Sequence, residues 1–171
     1  MKIVQKITQC LWFDNQAEEA MDFYVDVFNK GPYSKKNSKI SSIIRYAKGM
    51  EVPQPPEMVG KVLVGNFELE GQKFVCLDGG PIFKFNESLS LQIECQDQKE
   101  VDYFWEKLSA VPESEVCGWV KDKFGLSWQI IPKRLIELIS EKEPEKVNRT
   151  INAMLKMKKI TIDDLQKSYN G

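Results

Sequence analysis

Acid–base chemistry in this protein must rest on Asp, Glu, Lys, Tyr or Cys side chains, because its 171 residues include no histidine. The absence of imidazole excludes Ser-His-Asp and Cys-His catalysis, histidine-based zinc sites and a histidine general base. Asp78 and Glu94 form a candidate acid–base pair, although strand-end carboxylates in water are an equally simple interpretation. Cys76 is a candidate nucleophile, but the sequence offers no base or cation to activate it, which favours a buried thiol.

The cysteines and the charge balance narrow the class of protein. The four cysteines form no CxxC pair and lie mostly in apolar stretches, which predicts buried free thiols in a reducing cytoplasm: Cys10, Cys76, Cys95 and Cys117. The 24 basic and 25 acidic residues give a net charge of -1, which argues against nucleic-acid binding. We find no apolar run that predicts a signal peptide or a membrane span, so we expect a cytoplasmic protein without a membrane partner.

Hydrophobic periodicity predicts two successive βαβββ units followed by helices. We expect one domain over residues 1–171, with a first unit at about 5–80, a second at about 87–132 and a helical extension at about 133–171. The predicted strands cover residues 7–13, 40–46, 61–69, 73–77, 88–95, 116–120 and 127–131, and the predicted helices cover 17–28, 98–108, 135–140, 144–157 and 162–169. Repeated units of this kind favour an α+β fold, with two curved mixed sheets around a cleft and helices outside.

Several residues are expected to begin the helices or to interrupt them. Asp14 or Asn15 is expected to cap the first helix, Asp97 the second, and Thr161, together with Asp164, the last. The segment 51–60 (EVPQPPEMVG) is predicted as a loop, because proline removes backbone donors and favours turns.

Four segments of the sequence resemble the PhnB-like family: ITQCLWFDNQAEEAMDFYVDVF, LDGGPIFKFNESLSLQIECQDQKEVDYFWEKL, CGWVKDKFGLSWQIIP and EKVNRTINAMLKMKKITIDDL. The resemblance runs in order from Ile7 to about Gly171. That family belongs to the vicinal oxygen chelate superfamily, with glyoxalase I and the bleomycin-resistance proteins, and its members often carry the domain name 3-demethylubiquinone 3-methyltransferase. The resemblance implies the glyoxalase/bleomycin resistance/dioxygenase-like fold.

The same resemblance implies where a metal would bind and which ligands are missing there. Superfamily enzymes hold a divalent metal with four strand residues drawn from His, Glu and Gln, and the matching positions here are Gln9, Cys76, Ser90 and Gln129. Two neutral amides, a thiol and a hydroxyl are poor ligands for a hard divalent ion, so we expect no metal. The methyltransferase name is a poor guide to activity, because no amphipathic helix follows the Gly79-Gly80 pair. We therefore expect no cofactor.

Strand alternation predicts a wall of mixed polarity for a small-molecule pocket. If Ser90 points into the cleft, Gln92 and Glu94 point there too, and the same alternation directs Cys76 and Asp78 inward from the first unit. The predicted ligand-binding residues are Gln9, Phe13, Cys76, Asp78, Lys84, Ser90, Gln92, Glu94 and Gln129, with Lys84 chosen for an anionic group. The expected function is binding of a small organic ligand without a metal. The alternatives are an enzyme with an altered active site and a core lined by ordinary polar groups.

Exposed sheet edges predict self-association. Two sheets built from such units leave edges that superfamily members typically close by pairing chains, so we expect a two-fold homodimer. The predicted contacts are the strand at residues 61–69 and the C-terminal helices.

Overall fold

A computed structural model describes residues 5–50 and 58–171, which form two compact units. The first unit ends at Lys84, and the second begins at Phe85. Most of the predicted proline-rich loop, residues 51–57, lies outside the described residues.

The first unit has the predicted βαβββ order. Its elements are β1 (Gln9–Phe13), α1 (Ala17–Lys30), β2 (Lys39–Arg45), β3 (Val62–Leu69) and β4 (Gln72–Asp78). The sheet order is β1-β4-β3-β2, with β1 parallel to β4 and the other pairs antiparallel. The tight β3–β4 hairpin turns at Glu70 and Gly71, both with positive φ, where glycine is the residue best suited to the backbone.

Helix α1 covers one face of the first sheet. The Tyr24 ring of α1 stacks on Phe67 of β3, which stacks on Phe74 of β4, with centroid distances of 6.4 and 5.2 Å. The Met21 side chain of α1 packs directly on Gly65, because a Cβ at this position would clash with Met21 and Cys76. The face of the sheet that carries Phe74 and Cys76 is therefore the core face of this unit.

The second unit has a strand in each of the three predicted ranges, one fewer than the four strands of a full βαβββ unit. Its elements are β5 (Ser90–Cys95), α2 (Gln98–Leu108), a 3-10 helix (Pro112–Ser114), β6 (Trp119–Lys121), β7 (Ser127–Pro132), α3 (Lys133–Ile139), α4 (Pro144–Met154) and α5 (Ile162–Asn170). The sheet order is β5-β7-β6, with β5 parallel to β7 and β6 antiparallel to it. The 3-10 helix, rather than a strand, comes after α2. Pro112 suits the first turn of a helix, whereas in a strand it could not donate a backbone hydrogen bond.

The predicted strand at 116–120 is interrupted at its centre. Cys117 and Gly118 both have positive φ, and Val116 makes an isolated bridge with Trp119. The amides of Cys117 and Gly118 donate to the carbonyls of Met157 and Lys158, each at 2.8 Å. This corner therefore binds the chain between α4 and α5 rather than continuing a strand.

The C-terminal helices pack as part of the second unit. Their buried cluster contains Ile131, Leu135, Leu138, Ile160 and Leu165. The observed sheets and helices confirm the predicted α+β fold class. Among the described residues, no helix combines the length and apolar character needed to cross a bilayer.

The observed helix caps agree with the prediction from the sequence for one helix and differ from it for two. Asp97 caps α2, because its carboxylate accepts a hydrogen bond from the Glu100 amide at 3.0 Å. The residue at the cap of α1 is Gln16 rather than Asp14 or Asn15, and its side chain makes no capping hydrogen bond. Thr161 occupies the predicted cap of α5, but its side chain makes no capping bond either.

Candidate functional site

The predicted site residues of the first unit divide between its core and its surface. Phe13, Cys76 and Asp78 are buried, and the register pairs Phe13 with Asp78 in adjacent strands on the core face. The expectation that Cys76 and Asp78 point away from α1 is therefore wrong. Alternation separates the two faces of a strand correctly, but the helix covers the face that we had assigned to the ligand.

Asp78 holds the first unit together at the end of β4. Its Oδ1 accepts a hydrogen bond from the Ala17 amide at 2.8 Å, and its Oδ2 accepts one from the Val62 amide at 2.9 Å. Ala17 begins α1 and Val62 begins β3, so this carboxylate, only 1% exposed, supplies the helix cap that Asp14 and Asn15 do not. A carboxylate whose oxygens are both engaged by buried amides is not available as a general base.

Cys76 is inert at neutral pH. Burial, together with the nearby Asp78 carboxylate, raises the pKa of its thiol to about 12. The thiolate is the nucleophilic form, so Cys76 is not a nucleophile in this fold. Of the four free cysteines, Cys76 and Cys95 are buried as predicted, whereas Cys10 is exposed and Cys117 is half-buried.

Gln9 and Lys84 lie outside the core of the first unit, and Gln9 is half-buried. The Gln9 side-chain oxygen is 3.4 Å from the donating amide nitrogen of Gln72. Lys84 is exposed and is the last residue of this unit, so its assignment to an anionic ligand stays a prediction.

A shallow depression of about 660 Å³ lies beside the start of α1. Arg45 crosses it and donates two hydrogen bonds of 2.7 Å to the Glu18 carboxylate. Asp78, also in its wall, is occupied by backbone amides. These charges are satisfied within the fold.

Polar residues of the second unit gather on one face of its sheet. In adjacent strands, paired residues place their side chains on the same side. The register therefore defines two parallel rows across β5, β7 and β6: Ser90, Ser127 and Lys121 in the first row, and Gln92, Gln129 and Trp119 in the second. We call these six residues the polar face. The Gln129 side chain donates a 2.8 Å hydrogen bond to the Ser90 hydroxyl, which ties the two rows together.

The opposite face of this sheet is apolar and packs beneath α2. Val120, Trp128 and Ile130 are almost fully buried, as are Val101 and Phe104 on α2. The Trp128 indole donates to the buried Asp122 carboxylate at 2.8 Å. The register thus separates a polar and an apolar face in the second unit, and binding of a ligand at the polar one stays a prediction.

Ser127 lies at the centre of the first row and carries an unsatisfied hydroxyl. The residue is 2% exposed, and within the described parts of the chain its Oγ has no hydrogen-bond partner. Buried hydroxyls are nearly always hydrogen-bonded, so an unsatisfied one requires an explanation. A ligand or water at the polar face would satisfy it.

Lys121 gives the polar face its positive charge and was missed by the sequence analysis. Its ammonium forms an ion pair with the Glu87 carboxylate, which lies just before β5. The Lys121 side chain is 21% exposed, and its ammonium lowers the pKa of the Glu87 carboxyl group. The paired register of Ser127 and Lys121 would have revealed the residue, but register is not readable from a three-residue strand.

The residues at the four expected metal positions are poor ligands for a divalent ion. Cys76 is a protonated buried thiol, and the Ser90 and Gln129 side chains bond to one another. Within residues 5–50 and 58–171, no group of three His, Cys, Asp or Glu residues could hold a metal ion. The donor set does not fit a divalent cation.

The glycine pair does not fit a nucleotide cofactor either. Gly79 packs against the Trp12 ring so closely that a Cβ would clash with it, and the Trp12 indole donates to the Gly80 carbonyl at 2.9 Å. The residues that follow form a turn and an irregular segment rather than a helix. The helix N-terminus that would hold a phosphate or carboxylate after a glycine-rich turn is absent from this described segment.

Comparisons with known proteins place this geometry in a family. The family model described as 3-demethylubiquinone-9 3-methyltransferase matches residues 5–131. A solved structure of a PhnB protein from Bacillus cereus is 35% identical, covers 75% of this chain and 99% of that chain, and has a TM-score of 0.58. A Pseudomonas aeruginosa protein of known structure, 15% identical, covers 75% of this chain and 98% of its own, with a TM-score of 0.55, and shows likeness of fold alone. No curated protein matches the sequence.

Proposed function

Because the chain belongs to the 3-demethylubiquinone-9 3-methyltransferase (PhnB-like) family, we propose that it binds a small organic molecule at the polar face, without a resident metal. The observation that carries this proposal is the buried Ser127 hydroxyl, which has no partner among the described residues and is flanked in its row by Ser90 and Lys121. A polar group held in this state costs stability, which is expected where a ligand completes the hydrogen bonding.

The polar face has the character of a binding wall. It combines hydroxyl, amide and ammonium donors with the half-buried Trp119 indole. Ile131, two residues beyond Gln129 on the same face, belongs to the C-terminal cluster. The helical extension therefore borders the polar face on this side. Small-molecule sites commonly pair an apolar border with a few convergent polar groups.

No observation favours the alternative of an enzyme that uses Asp78 and Glu94 as acid and base. Asp78 is engaged by two amides, and Glu94 is exposed at the end of β5. The family description names a methyltransferase, but the turn at Gly79 and Gly80 does not fit the cofactor that such an enzyme uses.

The test is to identify what the native protein carries. Small molecules released by denaturing the purified protein should include an organic compound, and elemental analysis should find no stoichiometric metal. The compound should be depleted from Gln129→Leu, which loses the bond to Ser90, and retained by Gln72→Leu, an exposed substitution in the first unit. Stoichiometric zinc, nickel or iron, or equal retention by both variants, would overturn the proposal.

We also propose a cytoplasmic homodimer. The exposed Cys10 thiol would persist in a reducing compartment. Of the two predicted contacts, the strand at 61–69 corresponds to β3, which is paired on both sides and cannot add a partner strand. The C-terminal helices remain as the proposed contact. Light scattering should give twice the chain mass, and a monomer at micromolar concentration would exclude the dimer.

A further inference from the structure

We infer that the ligand of the polar face is an aromatic carboxylate, with its carboxylate on the Ser90, Ser127 and Lys121 row and its ring on the Gln92, Gln129 and Trp119 row. This inference rests on the proposed function, because it names the class of molecule that the same face would bind. It is argued below from the donors, the charge and the spacing of the two rows.

The first row offers donors to a ligand rather than acceptors. The Ser90 oxygen already accepts from Gln129, so its own proton is left to donate. The Ser127 hydroxyl has no partner among the described residues, and Lys121 carries an ammonium with three donors. Three donors in one row of the sheet are suited to an oxyanion, since an anionic acceptor strengthens each hydrogen bond.

The charge of the first row selects a singly charged anion. Lys121 supplies one positive charge, and the Glu87 carboxylate already forms an ion pair with it. The Glu87 side chain is 60% exposed and precedes β5 in a segment without regular structure. A ligand carboxylate can therefore replace Glu87 at the same ammonium. A dianionic phosphate would leave one charge uncompensated beside a displaced glutamate.

The second row selects a flat, weakly polar body. The Trp119 indole and the Gln129 amide occupy paired positions on β6 and β7. Aromatic rings pack favourably in offset or edge-to-face arrangements with an indole. The two rows are two residues apart along the strands, which is about 6.5 Å. A two-ring aromatic acid is long enough to place its carboxylate on one row and its distal ring on the other.

The experiment uses 2-naphthoate and its neutral isostere 2-naphthamide as probes, with binding to the intact protein measured by calorimetry. We expect naphthoate to bind more tightly than naphthamide by about tenfold or more, as hydrogen bonds to charged groups allow. Lys121→Met should abolish this preference and Lys121→Arg should keep it. Lys123→Met, in the turn that follows β6, is the matched control and should leave the preference unchanged.

Glu87→Gln gives the sharper result. Removing the internal carboxylate should tighten naphthoate binding by several-fold and leave naphthamide binding unchanged, because only the charged ligand competes with Glu87 for Lys121. A Lys121 variant that fails to fold would be recognised by its thermal melt, and the Glu87 result does not depend on it.

The outcomes separate this inference from the proposed function. Equal binding of the two probes, or no binding of either, overturns the aromatic carboxylate. The proposed function falls if the native protein carries a stoichiometric metal, or if it carries no organic molecule that depends on the polar face. Tighter naphthoate binding that survives Lys121→Met would also overturn the inference, because the carboxylate would then lie elsewhere.

Discussion

Polar residues on corresponding strands have opposite surroundings in the two units. In the first unit, Cys76 and Asp78 of β4 lie on the core face beneath α1. In the second unit, Ser127 and Gln129 of β7 lie on the face opposite the buried Trp128 and Ile130. The difference shows two roles for a polar side chain in a buried strand. Where backbone amides donate to it, it holds neighbouring elements together, and we call it a structural clamp. Where they do not, it is a candidate binding group.

The largest effect expected from this comparison is the loss of Asp78. Asp78→Ala leaves the buried amides of Ala17 and Val62 without acceptors. We expect the free energy of unfolding to fall by about 3 kcal/mol, since each unsatisfied buried donor costs roughly 1–3 kcal/mol. Urea denaturation measures it. Glu94→Ala, an exposed carboxylate at the end of β5, is the control and should change stability by less than about 0.5 kcal/mol. Equal effects of the two substitutions would show that Asp78 stabilises the fold no more than an exposed carboxylate does.

Alkaline pH should expose the burial of Cys76. Its folded-state pKa of about 12 exceeds the ordinary thiol value of 9.0, so the unfolded chain loses its proton first. The contribution is fully present below pH 9 and is lost as pH rises toward 12, at about 1.4 kcal/mol per pH unit. Cys76→Ala should make the loss of stability with rising pH less steep in this window. Cys10→Ala is the comparison, and it should change the slope less, because Cys10 is exposed and partial burial raises the pKa of its thiol by less than that of Cys76. A slope that Cys76→Ala leaves unchanged would show that the thiol ionises in the folded protein.

The sequence predicted the elements better than the surroundings of their side chains. Hydrophobic periodicity located α1 and α2, since their apolar spacing is strong and Asp97 marks the start of α2. It could not show that the cap of α1 comes from Asp78, because the two meet only through the register of β1 and β4. Local pattern carries no information about contacts between residues that are distant in the sequence.

The same limitation explains the candidate site. Alternation correctly placed Ser90 and Gln129 on one face, and their side chains are hydrogen-bonded. Alternation alone cannot say which face of a strand a helix covers, so Cys76 was assigned to the wrong one. Lys121 was missed because its role depends on a three-residue strand that begins just after the positive-φ corner at Cys117 and Gly118.

The two helix caps offer a smaller contrast. Asp97 caps α2 locally, and the Glu100 carboxylate accepts a hydrogen bond from the Gln96 amide at 2.6 Å. Asp97→Ala should therefore cost about 1 kcal/mol, as expected for loss of a local cap. This is smaller than the cost at Asp78, which also holds β3. Asp14→Ala, at the predicted cap of α1, should have almost no effect in the same denaturation experiment. A large effect of Asp14→Ala would show that α1 has a local cap after all.

The smallest change in stability is expected at Ser127, and its sign is the informative part. The hydroxyl is buried without a partner in the described chain, so the folded state bears its desolvation while gaining no hydrogen bond. Ser127→Ala removes the polar atom, and the ligand-free protein should be unchanged or more stable by up to about 1 kcal/mol. Ser90→Ala is the matched comparison, because it breaks the bond from Gln129 and should cost about 1 kcal/mol. Both should weaken naphthoate binding. If Ser127→Ala instead destabilises the ligand-free protein, the hydroxyl has a partner within the fold, and the second unit clamps its polar residues just as the first one does.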